Sequence, residues 1–225
     1  MRPLELVSDF SVETFQDMLI GWWQENGRKY PWRETSSPDH ILLAEVLLHR
    51  TRADQVAPAY QALIEQYPTI DLVADADPAA LRELLKSLGL RWRVDLLLQM
   101  ARRITDTHRG RVPRDSDLLQ SLPGVGPYIA AAVRCFAYGE AEPILDTNTV
   151  RIASRVFDLP RNDSSRRSRG YRELIGQLVD SSRPKQFNYA MLDHGALVCQ
   201  SRTPMCGACP VQPLCITGRR TSTSD

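Results

Sequence analysis

Cys199, Cys206, Cys209 and Cys215 follow one another as C-x6-C-x2-C-x5-C, four thiols within seventeen residues near the end of a 225-residue chain. Thiolates are soft ligands, and four in one short stretch can converge on a single metal centre. Cys135 is the only other cysteine, so count and crowding point to metal rather than to the disulfide framework of a short secreted protein. Structural zinc sites usually bring their ligands as two close pairs, but only Cys206 and Cys209 form such a pair here. The wide gaps on either side fit a loop wrapped around a cube. A 4Fe-4S cluster is therefore placed ahead of zinc, although tetrathiolate sites suit both.

Three further features could do chemistry. Leu122-Pro-Gly-Val-Gly-Pro-Tyr128 reads as helix, two-glycine hairpin, helix. Gly124, Val125 and Gly126 would then leave backbone N–H groups at a helix start, where a phosphate can approach without a Cβ in the way. The same run could equally be a tight interhelical turn. Asp146, in Ile-Leu-Asp-Thr-Asn-Thr-Val-Arg, is by itself most simply an N-cap. Glu45 interrupts the apolar run Ile41–Leu48 and shares a helical face with Ile41, Leu42 and Leu48. A carboxylate there needs a partner or a task, unless it points out through a gap in the stripe.

These residues need helices to hold them, and the pattern is helical nearly throughout. Phe15, Met18, Leu19 and Trp22 repeat at helical spacing before a break at Asn26-Gly27. Ser37-Pro38 and Asp77-Pro78 each pair an N-cap with proline at the first helical position, opening helices over Ile41–Leu48 and Ala79–Leu88. Further helices are expected over about 94–108, 118–122, 127–138, 147–157, 170–182 and 185–197, with a polar loop at 161–169 and a disordered tail from Arg219 to Asp225. No segment alternates as a strand would. The class expected is all-α. Hydrophobic content of 43% and charged content of 24% are ordinary globular values. No apolar run or leader suggests a membrane or secreted protein, so a cytoplasmic location is expected. A net charge of +1 says little about partners; arginine supplies all the positive charges but Lys29, Lys86 and Lys185, a bias that genomic composition explains as readily as phosphate contacts.

Taken in order, the hairpin, Tyr128, an aspartate eighteen residues later and the C-x6-C-x2-C-x5-C run resemble the helix-hairpin-helix DNA glycosylases of the endonuclease III superfamily, over roughly Phe10 to Cys215. The resemblance implies two lobes with DNA bound across the cleft. One is a six-helix barrel over 30–140, with the hairpin at about 116–138. The other joins 1–29 to 141–225 and holds the cluster loop at 199–215. Asp146 matches the family aspartate, which stabilises the oxocarbenium-like sugar and orients or deprotonates the attacking water. Tyr128 stands where bifunctional members place a Schiff-base lysine, so base removal without strand cleavage is implied.

Tyrosine and glutamate occur together in two branches of the family, one removing thymine or uracil opposite guanine and one, the MutY branch, removing adenine opposite guanine or 8-oxoguanine. Leu47-Leu48-His49-Arg50-Thr51 resembles the Leu-Leu-Arg-Arg-Thr of the G/T-mismatch thymine glycosylases. In that setting Glu45 contacts the flipped base, and Arg50 fills the gap and meets the estranged guanine, or else a phosphate. A chain that stops soon after Cys215 also argues against the adenine branch, whose members carry a further C-terminal domain. Pro127–Val133 and Ala137–Pro143 lean the other way, and Ile129 departs from the small polar residue common in the family. The expected function is thus monofunctional thymine or uracil release from mismatched double-stranded DNA, by a monomer whose product passes to an abasic-site endonuclease in the nucleoid. Adenine release is the alternative. A non-catalytic iron–sulfur DNA-binding protein, with Arg202 in the cysteine loop against a phosphate, is the second.

Overall fold

A computed structural model describes residues 10–89 and 92–222. Among these residues every regular element is helical, as the sequence pattern leads one to expect. No described helix is long and apolar enough to cross a membrane. The chain divides into two compact units, Lys29–Gly139 and Met1–Arg28 with Glu140–Asp225.

The chain opens with α1 (Val12–Asn26), capped by Ser11, and then builds the Lys29–Gly139 unit. There α2 (Pro38–Leu48) begins on the Ser37 cap with Pro38 in its first turn. Every residue from Ile41 to Leu47 is buried, because α3 (Ala53–Gln66), α6 (Trp92–His108) and α8 (Pro127–Tyr138) all pack on it. A helix apolar on all faces has to be enclosed in this way. The sequence pattern gave no warning of α3 or of α4 (Ile70–Ala74). Pro58 lies inside α3 and Arg52 offers no side-chain cap, both signals against a helix. Val56, Ala59, Tyr60 and Leu63 nevertheless bury one face at helical spacing, and that burial outweighs the missing bond. The helix expected to reach Leu88 stops earlier, as α5 (Pro78–Leu84), and continues as a 3₁₀ turn to Gly89, whose φ of 65° ends it. Asp115 caps α7 (Ser116–Gln120), and Gly139, at φ 70°, closes α8.

The other unit packs α1 on α11 (Pro184–Leu197), and α9 (Thr147–Val156) on α10 (Arg169–Leu178) and α11. Phe15, Leu19, Phe157, Leu174 and Phe187 form its core. Asp193, wholly buried, accepts from Trp23 Nε1 at 3.1 Å and from Arg28 N and Nε at 2.9 and 2.7 Å, which ties the end of α1 to α11. Helix α10 ends at Leu178 rather than near 182 because Asp180 turns its carboxylate onto the N–H groups of Ser182 and Arg183. The tail expected to be loose from Arg219 is helical in α12 (Ile216–Ser222). Thr217 Oγ1 donates to Arg155 O at 2.9 Å, and Arg220 pairs with Asp158. Residues 223–225 lie outside the described residues.

Candidate active site and candidate cluster site

Asp146 caps α9. Its Oδ1 accepts from the N–H groups of Asn148 and Thr149, both at 2.8 Å, while Thr149 Oγ1 accepts from Asp146 N at 2.9 Å to complete a capping box. Oδ2 is left outside the backbone cap and accepts from Asn148 Nδ2 at 2.9 Å. The simple cap reading is therefore correct as structure, and it has a chemical consequence: both torsions of the carboxylate are fixed. Burial pushes the pKa of Asp146 above the usual carboxylate value, opposed by the N–H bonds of Thr149 and Asn148 and by the Arg151 charge.

Asn148 Oδ1 accepts in turn from Arg151 Nη2 at 2.8 Å. The buried Arg151 guanidinium also donates to Gly195 O at 2.6 Å and, through Nε, to Cys199 O at 2.8 Å. An unbroken hydrogen-bonded path thus runs from the cap carboxylate to the first cysteine of the loop. Gly195 has no alternative in this packing, since a Cβ there would lie 2.5 Å from Asn148 Cβ.

Cys199, Cys206, Cys209 and Cys215 all line one pocket that opens to solvent. Arg155 Nη1 donates to Cys199 Sγ at 3.3 Å and Gly218 N to Cys215 Sγ at 3.3 Å, while His194 Nε2 lies 3.3 Å from Cys209 Sγ. Burial pushes the Cys209 thiol up to about 12, with the other cysteines adding to the rise, and pushes Cys215 up as well. Among the described residues no three His, Cys, Asp or Glu side chains form a group that could hold a single metal ion. The four thiols that line this pocket form an all-sulfur donor set, the ligand type of a tetrathiolate metal centre.

In the Lys29–Gly139 unit, Glu45 is buried at 5% exposure, so it does not point out through a gap in the stripe. It sits on α2, which packs against α8, the helix that carries Tyr128, half-buried, in its first turn. At the hairpin Gly124 has φ 78°, and a Cβ there would meet Leu96 Cδ2 at 2.4 Å. Val125 N donates to Leu122 O at 3.1 Å, closing the turn, whereas the N–H groups of Gly124 and Gly126 make no hydrogen bond among the described residues. Gly126 has open space beside it. Two of the three expected phosphate donors are thus available and the third is occupied. Arg50 is exposed just beyond α2, at φ 62°.

Residues 43–176 match the family model of the HhH-GPD superfamily of base excision DNA repair proteins. The chain belongs to that superfamily. Across the HhH-GPD superfamily it is similar to a thymine-DNA glycosylase of Aeropyrum pernix, 37% identical over 91% of this chain and 94% of that one. It is also similar to an adenine DNA glycosylase of Rattus norvegicus, 34% identical over 98% of this chain but 45% of that one. The solved structure of a thermostable thymine-DNA glycosylase superposes with a TM-score of 0.86 at 29% identity, covering 93% of this chain and 97% of that one.

The HhH-GPD reading of the sequence missed Asn148, Arg151, Arg155 and Arg93. Asn148 and Arg151 follow Asp146 at two and five residues, the spacing of a helix's first turns, and that was the only available signal. Arg93 and Arg155 act on carbonyls far away in sequence, which no local pattern announces.

Proposed function

We propose that this HhH-GPD protein is a monofunctional DNA glycosylase that hydrolyses the N-glycosidic bond of thymine or uracil opposite guanine in double-stranded DNA. The observation that carries the base preference is the likeness, nearly end to end, to a thymine-DNA glycosylase. The chemistry rests on Asp146. Cleavage of the bond builds positive charge on the deoxyribose, and a carboxylate that cannot rotate is preorganised to stabilise it. With Oδ1 held by two helix N–H groups, Oδ2 is the oxygen suited to orient or deprotonate water. Its raised pKa makes it a stronger base. Asn148 and Arg151 are positioning residues for it.

Tyr128 has no amine to attack C1′, so the reaction ends at the abasic site, and a separate endonuclease of abasic DNA would act on the product. Glu45 would hydrogen-bond the flipped base, and Arg50 would occupy the vacated space beside guanine, whose O6 and N7 suit a guanidinium. Gly124 and Gly126 would receive a phosphate. Cys199, Cys206, Cys209 and Cys215 would hold a 4Fe-4S cluster, which supplies covalent cross-links that fix the shape of the loop. Arg155, His194 and the Gly218 N–H would tune its sulfurs.

Asp146→Asn tests the assignment. It should bind G·T duplexes as wild type does and release base at least about a hundredfold more slowly. Unchanged release would remove the central residue from the mechanism. A wild-type protein that binds DNA but releases no base from any duplex would be a non-catalytic iron–sulfur binding protein.

A further inference from the structure

Helix α2 ends at Leu48, and the chain passes through His49, Arg50 and Thr51 before α3 begins at Ala53. Arg50 sits in the left-handed region at φ 62°, a conformation that a side chain with a Cβ occupies only when its surroundings enforce it. One side chain from α6 does the enforcing. Arg93 is 1% exposed, and its guanidinium donates from Nη1 to Leu47 O at 3.0 Å and from Nη2 to His49 O at 2.6 Å and Thr51 Oγ1 at 2.8 Å. The three acceptors bracket Arg50 on both sides.

This is a costly way to close a turn. Arg93 has no carboxylate partner among the described residues, and its Nε makes no hydrogen bond there. Its charge is met by the carbonyl end of α2, the negative end of the helix dipole, and burial lowers its pKa. A glycine in the turn would have adopted the left-handed conformation without a buried cation. What a glycine would lack is a guanidinium at the tip. Arg50 is exposed, and His49 beside it stands edge-on to Trp92, itself 42% exposed, at 6.0 Å. The arrangement spends a buried charge on holding an exposed arginine in one backbone conformation.

We infer that Arg93 is a positioning residue for partner-base recognition: it locks the Leu48–Thr51 turn so that the Arg50 guanidinium is presented, already formed, to the guanine left behind by the flipped base. The inference rests on the proposed glycosylase function and on Arg50's part in it. Its signature is a loss of discrimination between partner bases rather than a general loss of activity, because a turn that merely stabilised the fold would affect every duplex alike.

The test compares single-turnover uracil release from G·U and A·U duplexes. In the wild type G·U should be preferred, and Arg50→Ala should lower the G·U to A·U ratio about tenfold, the worth of one good bidentate contact to guanine. Arg93→Lys keeps the charge but loses the fork, and should lower the ratio to a similar extent with A·U release little changed. Thr51→Val removes a single acceptor without touching the core and should lower the ratio by about threefold; it carries the test if Arg93→Lys does not fold. The inference is overturned if Arg50→Ala loses the preference while Arg93→Lys or, in its absence, Thr51→Val retains it. It is equally overturned if both duplexes slow in parallel. No uracil release from wild type on either duplex would sink the underlying glycosylase reading instead, and is a separate outcome.

Discussion

In the proposed mechanism Asp146 does two things with one carboxylate, capping a helix and meeting a developing cation, and its hydrogen bonds leave Oδ2 outside the backbone cap for the second task. Its raised pKa makes the acid limb of the rate informative. Release should fall tenfold per pH unit below the pKa of the folded protein, which lies above the usual carboxylate value of 3.8, and Asp146→Asn should abolish that limb. The linkage has a definite sign: a raised carboxyl pKa favours the folded state while the group is protonated, and that contribution is lost as pH rises through the folded value. Thermal denaturation should therefore show Asp146→Asn gaining on wild type between acid and neutral pH; a constant difference would mean that the carboxyl is not held as described. At Tyr128 the expected gain is qualitative. Tyr128→Lys should place an amine near C1′ and add borohydride-trappable strand cleavage, and a variant that excises normally without trapping would place the side chain elsewhere.

At the scale of elements, α9 and α11 must approach closely enough for Arg151 to reach Gly195 O and Cys199 O. Gly195→Ala puts a methyl into Asn148 and should cost about 1–3 kcal/mol of stability in a urea titration, along with a drop in base release at saturating enzyme. Stability lost with release intact would show that Asn148 matters only for packing. This is also where the limits of the sequence pattern lie. Caps written as Ser37-Pro38, Asp77-Pro78 and Asp146, and stops written as Gly89 and Gly139, are local chemistry and were readable as such. Helix α3 was not, because Pro58 and the uncapped Arg52 are local objections overruled by burial, a tertiary effect. The same division runs through the candidate site. Cys199, Cys206, Cys209, Cys215 and Glu45 stood out by type and spacing and Asp146 through the family resemblance, whereas Arg93, Arg151 and Arg155 are one guanidinium among many until their distant carbonyl partners are seen.

For the whole molecule, 27 acidic residues nearly cancel 28 basic ones, so DNA affinity has to come from where the arginines stand and should weaken steeply with salt. The four cysteines close a loop of the unit built from both ends of the chain, and burial holds the Cys209 and Cys215 thiols above the usual thiol pKa. Metal binding must therefore displace protons. Protein purified without oxygen should carry about four irons and four sulfides per chain, and Cys209→Ser should lose them together with visible absorption. One zinc per chain would contradict the cluster assignment. The central claim, removal of a pyrimidine opposite guanine, is tested most directly by single-turnover base release from G·T, G·U, A·G and A·8-oxoguanine duplexes, with hot alkali to reveal abasic sites. Release from G·T and G·U alone is the predicted result. Release from the adenine duplexes instead would contradict it and make the buried Glu45 a proton donor to adenine.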